Sequence, residues 1–216
     1  MLKALKNKDV VEFESIKDLV SGYQKIIIDL GTGNGKFVIE RAKKEPLNFF
    51  IGIDPVVDNI SAYLRKKKKS LKQHGNENYI FVISSIEAIP EELFNIADEI
   101  HINFPWGSLL EGIVKGDYNL LRNIYKIANK AAEIQMTFTY CSIYEAGEIE
   151  RRNLPELSLE YIDKSLREKF QEAGLNIIKY SNLEEQELKN FGTLWSKRIF
   201  LTKNRSVFHI ACQPLN

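Results

Sequence analysis

The chain has 216 residues, 44% of them hydrophobic, and carries 30 Lys and Arg against 29 Asp and Glu, a net charge of +1 at pH 7. That length and apolar fraction fit one continuous core, and the near-neutral balance excludes bulk attraction to nucleic acid, so any such attraction has to come from local clustering of charge. Cys141 and Cys212 form no metal-ligand spacing, no stretch approaches the roughly 18 apolar residues of a membrane span, and Met1 to Lys6 lacks the apolar run of a signal peptide; the expectation is a soluble, cytoplasmic monomer with reduced thiols in its core, no metal and no membrane partner.

In chain order, residues 1–13 read as a hairpin turning near Asn7 and Lys8. A helix opens at Ser15 with Ile16, Leu19 and Val20 inward and Gly22 at its end, so that residues 1–22 form an N-terminal cover. Strand-like and helix-like runs then alternate, the pattern of βα units and an α/β class. The apolar run Ile26-Ile27-Ile28-Asp29-Leu30 breaks into Gly31-Thr32-Gly33-Asn34-Gly35. Lys36 to Lys44 follows as a helix stopped by Pro46. Further strands are expected at Phe49 to Ile53, Tyr79 to Ser84, Glu99 to Phe104 and Ile134 to Tyr140. Leu120, Leu121, Ile124 and Ile127 make a helical stripe after the N-cap Asp117, and Leu159, Ile162, Leu166 and Phe170 make another after Ser158. The tail is strand-like at Asn176 to Tyr180, Arg198 to Leu201 and Val207 to Ala211, which suits an antiparallel closing hairpin. Linker-like composition is absent, so residues 1–216 are read as one domain.

A buried strand that ends in alternating glycines describes a turn whose backbone closes on a ligand. The second strand ends in Asp54, about twenty residues beyond those glycines, where a carboxylate accepts ribose hydroxyls. Together they point to a nucleoside cofactor at the carboxyl edge of a parallel sheet. The spacing G-x-G-x-G brings the third glycine one residue earlier than the dinucleotide fingerprint does.

Both tryptophans stand in unusual company, at Phe104-Pro105-Trp106-Gly107 and Leu194-Trp195-Ser196-Lys197-Arg198. Two indole planes can sandwich a flipped base and offset the few kcal/mol needed to unstack it. Basic residues cluster at Arg65 to Lys69 with Lys72, at Arg151 and Arg152, and at Lys197, Arg198, Lys203 and Arg205. Three clusters beside aromatic clamps favour contact with RNA phosphates. Glu145, Glu148, Glu150, Glu184, Glu185 and Glu187 balance the total on surfaces away from that contact. His74, His101 and His209 are isolated, and no nucleophile–base constellation is present.

The glycine segment resembles motif I of class I S-adenosylmethionine-dependent methyltransferases. Over nearly its whole length the chain resembles the 16S rRNA (adenine(1408)-N1)-methyltransferases of the kanamycin–apramycin type, which confer aminoglycoside resistance. The motifs that carry the likeness are Ile28 to Gly33, Ile51 to Pro55, Phe104 to Leu110, Arg152 to Pro155 and Leu194 to Arg198. The resemblance implies a Rossmann-like, seven-stranded, mainly parallel sheet with an antiparallel closing hairpin. It implies S-adenosylmethionine contacts at Asp29, Gly31, Gly33, Gly35, Asp54, Ser85, Glu87, Phe104, Ser108 and Thr193, with Glu87 near the cofactor's adenine. It implies a target-base clamp of Trp106 and Trp195, and docking on 16S rRNA of the small ribosomal subunit through Lys66, Lys67, Lys68, Lys69, Arg152, Lys197, Arg198, Lys203 and Arg205, the last holding the displaced nucleotide's phosphate. Asn34 stands where some members carry an acidic residue, and Asn103 where an apolar one is expected. Two other readings stay open: a tRNA (guanine-N7) methyltransferase, whose Phe-Pro-Asp-Pro-Trp signature is missing here, and a non-catalytic protein that binds RNA or S-adenosylmethionine.

Overall fold

The computed structural model describes residues 2–6, 9–56, 58, 60, 78–184, 186–187 and 205–215. The strands are β1 (Leu2–Lys6), β2 (Asp9–Phe13), β3 (Ile26–Leu30), β4 (Phe49–Ile53), β5 (Tyr79–Val82), β6 (Ala97–Asn103), β7 (Ala128–Phe138), β8 (Leu175–Asn182) and β9 (Phe208–Pro214). Helices α1 (Lys17–Val20), α2 (Lys36–Lys44), α3 (Gly107–Lys115), α4 (Tyr118–Ile127) and α5 (Ser142–Arg152) lie between them, and α6 (Leu159–Tyr161) runs through a π-helical turn at Ile162–Leu166 into α7 (Arg167–Glu172).

Among the described residues the strands form one sheet of nine in the order β2-β1-β5-β4-β3-β6-β7-β9-β8. The stretch from β5 to β7 is parallel, and β9 runs antiparallel between β7 and β8. The expected seven strands are therefore present, closing hairpin included. The N-terminal hairpin departs from expectation: instead of covering the sheet it extends it, with β1 antiparallel to β5 through Ala4 opposite Val82 and Leu5 opposite Phe81. Edge pairing satisfies backbone groups that a bare β5 edge would leave to solvent. The strand expected at Arg198 to Leu201 lies outside the described residues.

Apolar side chains bury both faces of the central strands, as parallel sheets require. On one face Ile28, Leu30, Ile100, Ile102, Ile134 and Met136 pack against Leu110, Ile113, Leu121, Ile124 and Phe170 of α3, α4 and α7. On the other, Ile27, Phe50 and Phe81 pack against Val38, Ile39 and Ala42 of α2. The expected caps form: Asp117 accepts from Leu120 N at 2.8 Å and Ser158 from Tyr161 N at 3.0 Å, each satisfying a helix-end donor. Cys212 is buried as expected, whereas Cys141 is only half-buried ahead of α5.

β3 sends its chain through α2 to β4 on one side, while β6 lies on its other side, so the crevice between β3 and β6 is a topological switch point. The turn that enters it is locked from behind by Phe81. A Cβ added at Gly35 would lie 2.5 Å from that ring, and one at Gly52 would lie 2.5 Å from the ring and 3.0 Å from Thr32 Cγ2. Gly52→Ala is therefore expected to destabilise the protein by about 1–3 kcal/mol through overpacking. Urea unfolding should show the midpoint falling with an unchanged slope, and an unchanged midpoint would refute this packing role.

Candidate active site

Strand β3 ends at Leu30 and the chain turns through Gly31, Gly33 and Gly35, with φ of +77°, +58° and +72°, a left-handed region that favours glycine. Gly31 and Thr32 donate their amides to Ile53 O at 2.9 and 3.1 Å. Asp54, at the end of β4, accepts from Gly33 N at 2.8 Å and from Val56 N at 2.8 Å. The same carboxylate thus holds the turn and keeps lone pairs for a ligand, since an ionised carboxylate has about four acceptor positions.

The three glycines divide their labour. A Cβ at Gly31 would meet Leu109 Cδ2 at 2.8 Å, while one at Gly33 would meet nothing within 4 Å. Gly33 is the glycine that faces open cleft. Gly35 is not in the cleft wall: it is buried, and its missing side chain is occupied by Phe81. Gly35 thus has a packing role against Phe81 beside the cofactor contact expected of it.

The cleft encloses about 620 Å³ and brings together Asp29, Gly31, Gly33, Asp54, Ser85, Glu87, Phe104, Trp106 and Ser108. On one side lie the β3 turn and Asp54; on the other lies the segment from Asn103 into α3. Asp29 is buried at its floor, with Thr32 Oγ1 donating to Oδ2 at 2.6 Å and Asn103 Nδ2 lying 3.4 Å from Oδ1. Burial pushes its carboxyl up to about 6, and the Thr32 hydroxyl, His101 and Asn103 pull against that rise. Glu87, although raised by partial burial, ends below its ordinary value because its own amide and the hydroxyls of Ser85 and Ser108 hydrogen-bond its carboxylate. The Ser108 bond ties the turn after β5 to the start of α3. Sequence reasoning missed Thr32 and the part played by Asn103. Thr32 lies inside the glycine motif, and Asn103 stood out only as a polar residue in an apolar position.

Phe104 takes φ of +51° while its amide donates to Thr137 O at 2.7 Å. The reversal lifts Trp106 onto the cleft rim, 43% exposed at the N-cap of α3. Phe104 itself packs with Val207 and Leu183, and Leu183 N donates to Val207 O at 2.8 Å. These two residues bracket the segment that carries Trp195. Thr193, Trp195, Lys197, Arg198 and Lys203 lie outside the described residues, as do Lys66, Lys67, Lys68 and Lys69.

The described basic residues are not isolated from acidic ones. Arg152 donates to Glu111 at 2.7 Å and Glu148 at 2.9 Å, Arg151 pairs with the same Glu148, and Arg205 pairs with Glu145 and stacks its guanidinium 5.0 Å above the Tyr144 ring. The expectation that Glu145 and Glu148 lie away from the basic clusters is corrected: carboxylates four and three residues from the arginines on one helix, or across from it, neutralise them locally. His101 and His209 have structural partners. Arg41 Nη1 lies 2.9 Å from His101 Nε2, and Thr137 Oγ1 and Gln135 Oε1 flank the His209 ring at 2.9 and 2.8 Å.

The raised Asp29 carboxyl couples to stability. Its folded value exceeds the unfolded 3.8, so the native state favours the protonated form. The stability it contributes is complete below about pH 4 and lost as pH rises through about 6. Asp29→Asn keeps an acceptor for Thr32 and removes the charge. It should unfold later than the parent protein at pH 8, by up to about 3 kcal/mol, and equally at pH 4; a variant less stable at pH 8 would refute the burial penalty.

Several known proteins are similar to this chain in sequence and fold. A family model described as 16S rRNA (adenine(1408)-N(1))-methyltransferase, NpmA, matches residues 3–213. A protein of Escherichia coli named 16S rRNA (adenine(1408)-N(1))-methyltransferase is 35% identical over 212 residues, covering 98% of this chain and 96% of its own. The solved structure of an antibiotic-related methyltransferase superimposes with a TM-score of 0.83 at 29% identity, covering 97% of this chain and 99% of its own. That of the aminoglycoside resistance methyltransferase NpmB1 does so with a TM-score of 0.80 at 27% identity over the whole of both chains.

Proposed function

The chain belongs to the family of 16S rRNA (adenine(1408)-N(1))-methyltransferases, and from that premise we propose that it moves a methyl group from S-adenosylmethionine to N1 of adenine 1408 in the small ribosomal subunit, conferring aminoglycoside resistance. It acts as a single-domain monomer in the cytoplasm, where that substrate is found. The observation that carries this reading is the rim of the cleft: Trp106 stands exposed there, and Leu183 and Val207, which bracket the Trp195 segment, pack on Phe104 two residues away.

The cleft suits the cofactor. Gly33 leaves open space where a Cβ would intrude, Asp54 keeps acceptor positions for ribose hydroxyls, and Asp29 offers a carboxylate to an ammonium. Bound S-adenosylmethionine supplies a methyl group on a sulfonium, an electrophile that needs no activation by the protein. Adenine N1 carries a neutral lone pair at pH 7. Asp29, Gly33 and Asp54 would hold the cofactor so that its methyl carbon passes to N1 with the carbon–sulfur electron pair left on sulfur, and no proton has to be removed. What remains for the chain is orientation: Trp106 and Trp195 hold the flipped base by stacking while the cleft excludes water, a fixed arrangement worth several kcal/mol of barrier. A guanine-N7 reading for tRNA lacks its Phe-Pro-Asp-Pro-Trp signature here, and no feature of the cleft favours it.

Trp106→Ala and Trp195→Ala should each lower methylation of isolated small subunits by roughly 5- to 150-fold, from the ~1–3 kcal/mol that one stacking partner supplies, with cofactor affinity nearly unchanged. Reverse-transcription stops at the modified adenine report the activity, and full activity in both variants rejects the clamp. Replacing Lys66, Lys67, Lys68 and Lys69 with Gln should flatten the plot of log affinity for the subunit against log salt by roughly one unit for each phosphate that is no longer neutralised. An unchanged slope removes that run from the interface.

A further inference from the structure

Strand β6 presents Glu99, His101 and Asn103 on one face, two residues apart, alongside the end of β3 where Asp29 is paired with His101. Burying Asp29 opposes its ionisation, yet an ammonium can be received only by the carboxylate. Its two oxygens have separate donors: Thr32 on Oδ2 and Asn103 on Oδ1. Thr32 belongs to the turn itself. Asn103 comes from the opposite wall, and an apolar side chain in its place would take that donor away from Oδ1.

Resting on the cofactor reading above, we propose that Asn103 is a positioning residue: its amide donates to Asp29 Oδ1 and keeps that carboxylate anionic and aimed at the ammonium of the amino-acid end of S-adenosylmethionine. The 3.4 Å separation lies at the long end of the N–H···O range. The charged surroundings of Asp29 set the direction of its titration. Asp54, from β4, opposes ionisation; His101, from β6, supports it and is itself contacted by Arg41 of α2 and by Glu99. Lys36 of α2 also lines the cleft and pairs with Glu40 at 3.7 Å. Burial already lifts the carboxyl to about 6 against the pull of these donors, so the loss of a neutral donor moves it further up.

Calorimetric titration of the full chain with S-adenosylmethionine between about pH 5 and about pH 8 tests this. The unsubstituted protein should bind with constant affinity at the alkaline end and lose up to about tenfold per pH unit below the Asp29 break. Asn103→Leu should move that break upward by about one unit, a several-fold loss near pH 6 with near-parental affinity at pH 8. Asn103→Asp, which sets a second carboxylate beside the first, should move it further. Repeating the series on a His101→Gln background removes the neighbouring imidazole from the comparison. A break that stays in place in both Asn103 variants, including a loss of affinity equal at every pH, overturns the assignment alone. Failure of the unsubstituted protein to bind at any pH overturns the cofactor reading and the assignment with it.

Discussion

Everything in the cleft depends on how the turn after β3 is held. Two constraints of different kinds act on its opposite sides. From the front, the Asp54 carboxylate accepts the Gly33 amide and so fastens the turn to the end of β4. From behind, the Phe81 ring occupies the volume that side chains at Gly35 and Gly52 would take. A hydrogen bond to a charged acceptor gives direction and a packed ring gives rigidity. Between them the backbone has one available path, and that path leaves Gly33 facing open space. The glycine motif therefore serves core packing at one end and ligand access in its middle.

The segment after β6 solves a matching problem on the opposite wall. A strand cannot place an exposed indole at its end and start a helix at once without an abrupt change of direction. Phe104 makes that change with a left-handed backbone, held by its amide bond to Thr137 and by its ring against Val207 and Leu183. Strain of this kind in a non-glycine residue persists only where the surroundings over-determine it, and here the surroundings are β7 and both ends of the Trp195 segment. The contacts that set the height of Trp106 thus also anchor the chain bearing the second indole.

Much of this was legible in the amino-acid order because the relevant physics is local. Apolar runs ending in glycines, Asp117 and Ser158 ahead of helical stripes, and Asp54 at the end of an apolar run each act over a few residues, and each stands in the structure where its spacing placed it. The contacts that escaped notice join residues far apart in the chain. Nothing in residues 1–13 announces that the hairpin will add to the free edge of β5, since an amphipathic hairpin can as well lie over a core. Gly35 reads like its neighbours until Phe81, two strands further along the chain, is seen to fill its space. The carboxylates Glu145 and Glu148 look like solvated charge in a composition, yet they are the ion-pair partners of Arg205, Arg151 and Arg152.

Those ion pairs change what the basic residues can do. A guanidinium already paired with a carboxylate adds little long-range potential, because the pair is a dipole whose field falls quickly and is screened within about 8–10 Å. Arg152, held by two glutamates, and Arg205, nearly enclosed between Glu145 and Tyr144, therefore contribute little to drawing a polyanion from a distance. Their planar donors are instead fixed in orientation by those partners. With a net charge of only +1, recognition of folded RNA by this chain has to rest more on local shape and prepositioned donors than on overall charge.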